Sequence, residues 1–322
     1  MTSRDLFRES THRRSKPVAL WRHHPVDDQS VDGLVGATMA FQSKFPSDIV
    51  KITPASSFQL RDLGQTDAWN GDKLGRRDFG TARVTDPGDW LDLIASPASE
   101  EHLSIHFEAA RRLRASIPED LPLIQTIFDP MFQARTLARG VWDEHVRLEP
   151  ELIETALDAL TNRTVQMIET FRDIGVDGIF LAIQHAGMDD YRHLGLPRAL
   201  TCLRAAGGDA MNFVHLHGAG LPGWLVTAFP ETTVHASFDE NPELLEECLR
   251  HPQLSFAGGL SPDYLAKSSA AEVSQAATAI LTRMEGRRFI LGAGCVLVPD
   301  TPAENIHALL GAARREVCAI DA

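Results

Sequence analysis

Eight short, nearly continuous apolar runs punctuate the chain: PVALW (17–21), DIVKI (48–52), LPLIQTIF (121–128), DGIFLAI (177–183), MNFVHLH (211–217), TTVHASF (232–238), LSFAGGL (254–260) and RRFILGAG (287–294). A strand that is apolar on both faces must be covered on both faces, which is the situation of a parallel sheet wrapped in helices. The gaps supply helical patterns. In 151–174 apolar residues fall at Ile153, Ala156, Leu157, Leu160, Met167, Ile168, Phe171 and Ile174, an amphipathic stripe stopped by Gly175. Ser269-Ala270-Ala271-Glu272 and Thr301-Pro302-Ala303-Glu304 read as capping boxes, and Asn241-Pro242 and Ser261-Pro262 as further helix starts.

Strand and helix alternating eight times predict an α/β (β/α)8 TIM barrel, a single domain over 1–322. An open doubly wound sheet is the alternative, but no GxGxxG or P-loop opens any helix. The polar segment 1–16 lacks the apolar core of a secretory signal and is expected to form a mobile N-terminal arm. The gap after the second strand is too long for a plain connection. Residues 53–110 are expected to make an excursion beside the barrel mouth, with FGTARV as a small strand inside it.

Bulk properties narrow the partners. A net charge of −13 with no basic run argues against nucleic acid. No apolar stretch reaches the roughly 18 residues that span a bilayer. Cys202, Cys248, Cys295 and Cys318 lie far apart without a CxxC pair, which points to a reduced, cytoplasmic protein.

Barrel active sites sit at the C-terminal strand ends. Those ends carry Arg22, His23 and His24; Lys51; Asp129; Gln184 and His185; His215 and His217; Asp239; Gly258 and Gly259; and Gly294 and Cys295. Strand beginnings offer mostly Pro, Asp, Met and Leu, so the asymmetry points to an enzyme. In FVHLHGAG the alternation of a strand puts His215 and His217 on one face. With Cys295 from the opposite side of the mouth they make a zinc set, and Asp239 is placed as a fourth ligand or its partner. An H-x-H at a strand end can equally be hydrogen-bonded structure, and a lone cysteine a small buried residue.

His23 and His24 could hold an anion or exchange protons, His24 and Asp129 being the candidate acid–base groups. Arg22 is a candidate anion holder. Lys51 within a buried strand requires a carboxylate such as Asp48 or Asp129, or a substrate anion. Gln184 and His185 face opposite ways, and Gln184 is the one expected to line the mouth. Gly258-Gly259 would let a ligand approach the backbone, or simply ease a turn. Trp69, Trp90 and Trp142 read as packing.

Several stretches resemble the uroporphyrinogen decarboxylase superfamily: DIVKITPASSFQLRDLG, DGIFLAIQHAG, FVHLHGAG, FAGGLSP and FILGAGCVLVPDTPAENIHAL. The resemblance implies a TIM barrel and a homodimer. Porphyrinogen decarboxylases carry an arginine-rich RQAGR motif near the N-terminus, whereas the matching place after PVALW reads RHHPVDDQ. The other branch contains zinc-dependent methyltransferases working with corrinoids or thiols, whose ligands follow H-x-C with a distant cysteine. The positions here are His215, His217 and Cys295, with Asp239 as the acidic counterpart. Exchanging a thiolate for a neutral imidazole adds a unit of positive charge to the site, which suits activation of a hydroxyl, ether or water rather than a thiol.

The resemblance therefore implies a zinc-dependent methyltransferase acting on a small-molecule substrate. No D-x-H-x-x-G-type segment is present, so a corrinoid would come on a separate partner protein. The alternatives are a metal-free decarboxylase holding a porphyrinogen-like carboxylate substrate with Arg22, Lys51 and a histidine, and a non-catalytic tetrapyrrole or corrinoid binder.

Overall fold

The structure, a computed structural model, describes residues 16–96 and 99–314. Except for Lys16, the expected N-terminal arm lies outside the described residues, as does Cys318. The strands are β1 (Val18–Ala19), β2 (Val50–Ile52), β3 (Asp67–Ala68), β4 (Asp78–Phe79), β5 (Leu123–Phe128), β6 (Gly178–Ile183), β7 (Phe213–Leu216), β8 (Thr233–Ser237), β9 (Ser255–Leu260) and β10 (Arg288–Ala293). Eight of them form one parallel sheet in the order β1-β10-β9-β8-β7-β6-β5-β2. Helices lie between them, which makes a nearly closed (β/α)8 TIM barrel. Each of the eight apolar runs contains one barrel strand, and every residue of β5 and β6 is buried.

The two ends of the sheet meet at Asp48. Its amide donates to Val18 O at 2.8 Å, and its Oδ2 accepts from Val18 N at 2.7 Å. Asp48 thus joins β1 to the entry of β2 and is not the partner of Lys51 that its sequence position allows.

The helix Pro150–Ile174 buries Ile153, Leu157, Leu160, Ile168 and Phe171 and ends on Gly175 in the left-handed region (φ 96°). Ser269 and Glu272 make the expected capping box, and Ser261 caps the helix Pro262–Lys267. Thr301 makes no such box. The helix there begins at Ala303, and Thr301 Oγ1 is buried without a partner among the described residues. Trp90 and Trp142 pack edge to face, and the Trp90 indole donates to His145 Nδ1 at 3.1 Å.

The excursion after β2 is shorter than 53–110, because Leu103–Ser116 is already a barrel helix packed on Val31–Lys44 and Pro150–Ile174. Within the excursion β3 pairs antiparallel with β4. FGTARV contributes only Phe79 to a strand, because a pairing two residues long turns away at Gly80. The hairpin is fixed from beneath by Asp67, whose buried carboxylate takes Arg61 Nη1 at 2.8 Å, lies 3.1 Å from Arg77 Nε and accepts the Ser57 hydroxyl. Among the described residues, no helix is long and apolar enough to cross a membrane.

Candidate metal centre

β7 and β10 stand three strands apart on the barrel, and their C-terminal ends bring three donor side chains together. His215 sits within β7, His217 one residue beyond it and Cys295 two residues beyond β10. One ligand atom from each lies within 4.8 Å of the others, and Cys295 Sγ is 3.8 Å from His217 Nδ1.

A fourth side chain, unnoticed in the sequence, decides how His215 is presented. His235 of β8 lies opposite His215 in the ladder, with Nδ1 to Nδ1 at 2.8 Å, and its Nε2 is 3.0 Å from Ala293 O. A carbonyl can only accept, so His235 carries its proton on Nε2 and offers a lone pair at Nδ1. His215 must then donate from Nδ1, which leaves a lone pair on Nε2. That atom is buried and has no partner among the described residues. A buried acceptor without a partner is costly in a finished protein and apt in a metal ligand. Burial pushes both His215 and His217 below the ordinary histidine range, and His235 down to about 3, so all three are neutral at pH 7. Burial raises the Cys295 thiol, an effect opposed in part by the positive charges of Lys51 and Arg76. Two neutral imidazoles and a thiol fit a tetrahedral zinc set with one open position.

Replacing His235 with phenylalanine frees the His215 ring to rotate and removes the acceptor that holds its tautomer. Zinc affinity is expected to fall about ten- to a hundredfold. Asparagine, which restores an acceptor, should recover part of the loss. Equal affinity in wild type and the phenylalanine variant, measured by competition with a chromophoric chelator, would refute the relay.

Two cavities meet at these donors, sharing Leu74, His217 and Cys295. The smaller, about 200 Å3, includes His215, Ser237, Glu240 and Asp263 in its wall. Ser237 Oγ there is buried and unpartnered among the described residues. The larger, about 310 Å3, is walled by the excursion and by the ends of β5 and β6, and contains His23 and Gln184.

Other candidate residues are distributed as follows. His23 and Gln184 reach the larger cavity as expected, while His185 turns aside and stacks on Phe132 at 6.2 Å. His24 packs edge-on against Phe41, borders neither of these cavities, and is pushed down to about 4 by burial. Arg22 donates to Pro299 O at 3.2 Å and lies over the Phe41 ring, away from both cavities.

Asp129 is an N-cap. It accepts from Phe132 N at 3.3 Å, and burial raises it to about 7. Asp239 is exposed and accepts from Ser261 N at 3.0 Å. β8 ends at Ser237, and the neighbouring Glu240 lines the smaller cavity.

Lys51 has no carboxylate partner among the described residues. Its ammonium lies 4.5 Å from the Phe180 ring centroid and 5.1 Å from that of Trp21, and donates to Thr53 Oγ1 at 3.1 Å. Burial lowers it to about 7. It borders neither of these two cavities but lines a small cleft of about 10 Å3 with Arg22 and His24; its charge favours the Cys295 thiolate from inside the barrel. Gly258 and Gly259 also leave the candidate list. A Cβ on Gly258 (φ 122°) would meet Ala236 O at 2.1 Å, and one on Gly259 (φ 153°) would meet Gly292 O at 2.6 Å. They permit close strand packing and face neither cavity.

Asn241, legible in the sequence only as a helix start, also positions the mouth. Its Oδ1 accepts from Leu221 N at 2.9 Å, and its Nδ2 donates to Gly218 O at 2.8 Å and Ser237 O at 3.0 Å, tying the loop after His217 to the end of β8.

The family model of uroporphyrinogen decarboxylase matches residues 43–316, and the chain belongs to that family. A relative, the uroporphyrinogen decarboxylase of Acidiphilium cryptum (strain JF-5), is 26% identical over 218 residues, 63% of this chain and 60% of that protein. The match thus spans less than two thirds of the relative's length. Among solved structures, a methyltransferase from Methanosarcina mazei superposes with a TM-score of 0.78 at 15% identity, over 97% of this chain and 98% of that one. A B12-independent methionine synthase from Shewanella sp. W3-18-1, in complex with selenomethionine, gives 0.58 at 16% identity over 93% and 92%. At such identities these likenesses establish the shared barrel.

Proposed function

We propose that the chain is a zinc-dependent methyltransferase-like enzyme in which His215, His217 and Cys295 hold the metal. The observation that carries this reading is the convergence of the three donors on one point, with His215 Nε2 buried, unprotonated and otherwise unpartnered. A zinc ion with two neutral ligands and one thiolate supplies a Lewis acid for a methyl acceptor or a leaving oxygen.

The chain's own residues do the rest. His235 holds the tautomer of His215, and Lys51 favours the Cys295 thiolate. Ser237 Oγ offers a hydrogen bond at the edge of the smaller cavity, and the side chains around the larger one exclude water from the reacting atoms. A corrinoid donor would arrive on a separate protein. For the metal-free decarboxylase alternative, Arg22 and Lys51, its carboxylate holders, line neither of the two large cavities but share with His24 a cleft of only about 10 Å3, too small for a porphyrinogen-like substrate.

The test is the metal content of protein purified without a histidine tag, beside a His217→Ala variant. About one zinc per chain in the wild type and little in the variant is expected. A wild-type protein that holds no metal and takes up none on titration sinks the reading.

A further inference from the structure

The two cavities that meet at the donor cluster differ in sign. The smaller includes Glu240 and Asp263 and neither lysine nor arginine in its lining. The larger carries Arg76, Arg77 and Arg139 against Asp72 and Asp78. An anion is therefore disfavoured in the first and accommodated in the second.

The three arginines differ in availability. Arg77 stands beside Asp67 and donates to Pro25 O at 2.6 Å, so it belongs to the scaffold of the excursion. Arg76 is clamped by Asp72, with Nε at 3.2 Å from Oδ1 and Nη2 at 3.0 Å from Oδ2. The same Oδ1 accepts from the Leu74 and Arg76 amides, which makes the 72–76 turn a braced unit. Arg139 is held through Nη2 by the carbonyls of Phe79 and Gly80, with no carboxylate partner among the described residues. A fork held by one nitrogen, with the rest of its donors at the rim of a cavity, is prepared for a planar oxyanion.

The wall beneath is aromatic. Phe128 and Phe132 lie 4.8 Å apart between ring centroids, and Phe79 adds a third ring 6.3 Å from Phe132. The Arg139 guanidinium lies over the Phe79 ring, 5.5 Å from its centroid, so charge and aromatic surface adjoin, and rings in a cavity wall favour an aromatic partner. A volume of about 310 Å3 is at the small end of the range of ligand pockets, about 300–1,000 Å3, which suits one ring better than a macrocycle.

We infer that the larger cavity is a binding site for a one-ring aromatic carboxylate, its oxyanion on Arg139 with Arg76 nearby and its ring against Phe79, Phe128 and Phe132. The assignment of this cavity to a reactant rests on the methyltransferase reading. The chemistry of its occupant rests on the arginines and the aromatic wall.

Benzoate is the probe, titrated calorimetrically into chelator-treated and into zinc-loaded full-length protein, with benzamide and acetate as single-feature controls. Benzoate should bind in both states. Each control, lacking either the charge or the ring, should bind at least about tenfold more weakly. Arg139→Gln should weaken benzoate about ten- to a hundredfold and leave benzamide unchanged, which also shows that the variant cavity is folded.

The inference is overturned if benzoate does not bind, if benzamide matches benzoate, if Arg139→Gln leaves benzoate affinity intact, or if benzoate binds only with zinc present. A protein that binds benzoate but takes up no zinc refutes the methyltransferase reading alone. One that takes up zinc and ignores benzoate refutes this inference alone.

Discussion

Between pH 6 and pH 4 the protein is expected to lose most of its stability. His24, His106, His215 and His235 are buried, and burial depresses all four, His106 and His235 to about 3 and His24 to about 4. A histidine whose folded value lies below its unfolded value of about 6.5 contributes stability above that value and loses it as the pH falls toward the folded one. Buried Asp28 and Asp129 act in the opposite sense, raised to about 6 and about 7, and gain stability as they protonate. Four histidines against two acids leave a net uptake of about two protons on unfolding, or about 2.7 kcal/mol per pH unit. Two pH units then remove about 5 kcal/mol, comparable with the whole stability of a domain of about 5–15 kcal/mol. Half-buried His23, His185 and His217 are lowered too and steepen the slope. Urea titrations at several pH values, followed by circular dichroism, would measure it. A flat profile across this range contradicts the burial of neutral imidazoles.

The second large effect concerns Cys295. Serine in its place offers a hard, protonated oxygen where the site has a thiol, and zinc affinity is expected to fall by about two to four decades, roughly a quarter of the about 10–16 kcal/mol typical of structural zinc. The proton count should change with it. Burial raises the thiol and keeps both histidines neutral, so at pH 7 the wild type should release about one proton more per zinc than the serine variant. Calorimetry in two buffers of different ionisation enthalpy reads that number. Equal proton release by the wild type and the serine variant would mean that the Cys295 thiol does not ionise on binding, against the ligand set.

What the sequence disclosed follows from what each feature needs in order to be visible. The barrel was legible because strands covered on both faces are written as apolar runs. His215 and His217 were legible because two positions along a strand return to one face. His235 escaped because it stands inside its run, where a histidine reads as core, and only the register that sets it opposite His215 reveals its role. Asp239 was placed by its position at a strand end, but β8 stops at Ser237 and the carboxylate accepts from Ser261 N. Lys51 was rightly read as buried, but its partners proved to be rings and a hydroxyl contributed largely by other strands. Arg76 and Arg139 had no signal at all. They come from turns without periodicity, and only the folded chain brings both into the lining of the larger cavity.

The seam at Asp48 gives the barrel an expansion joint. β1 is two residues long and is laddered only to β10, while its other edge hangs on one carboxylate and one amide. His23, in the wall of the larger cavity, lies four residues past β1 and next to the Arg22–Leu297 bridge, whereas His215 lies in a strand laddered on both sides. His215 is thus held from both edges of its strand, while the β1 side of the barrel depends on Asp48 for one of its own.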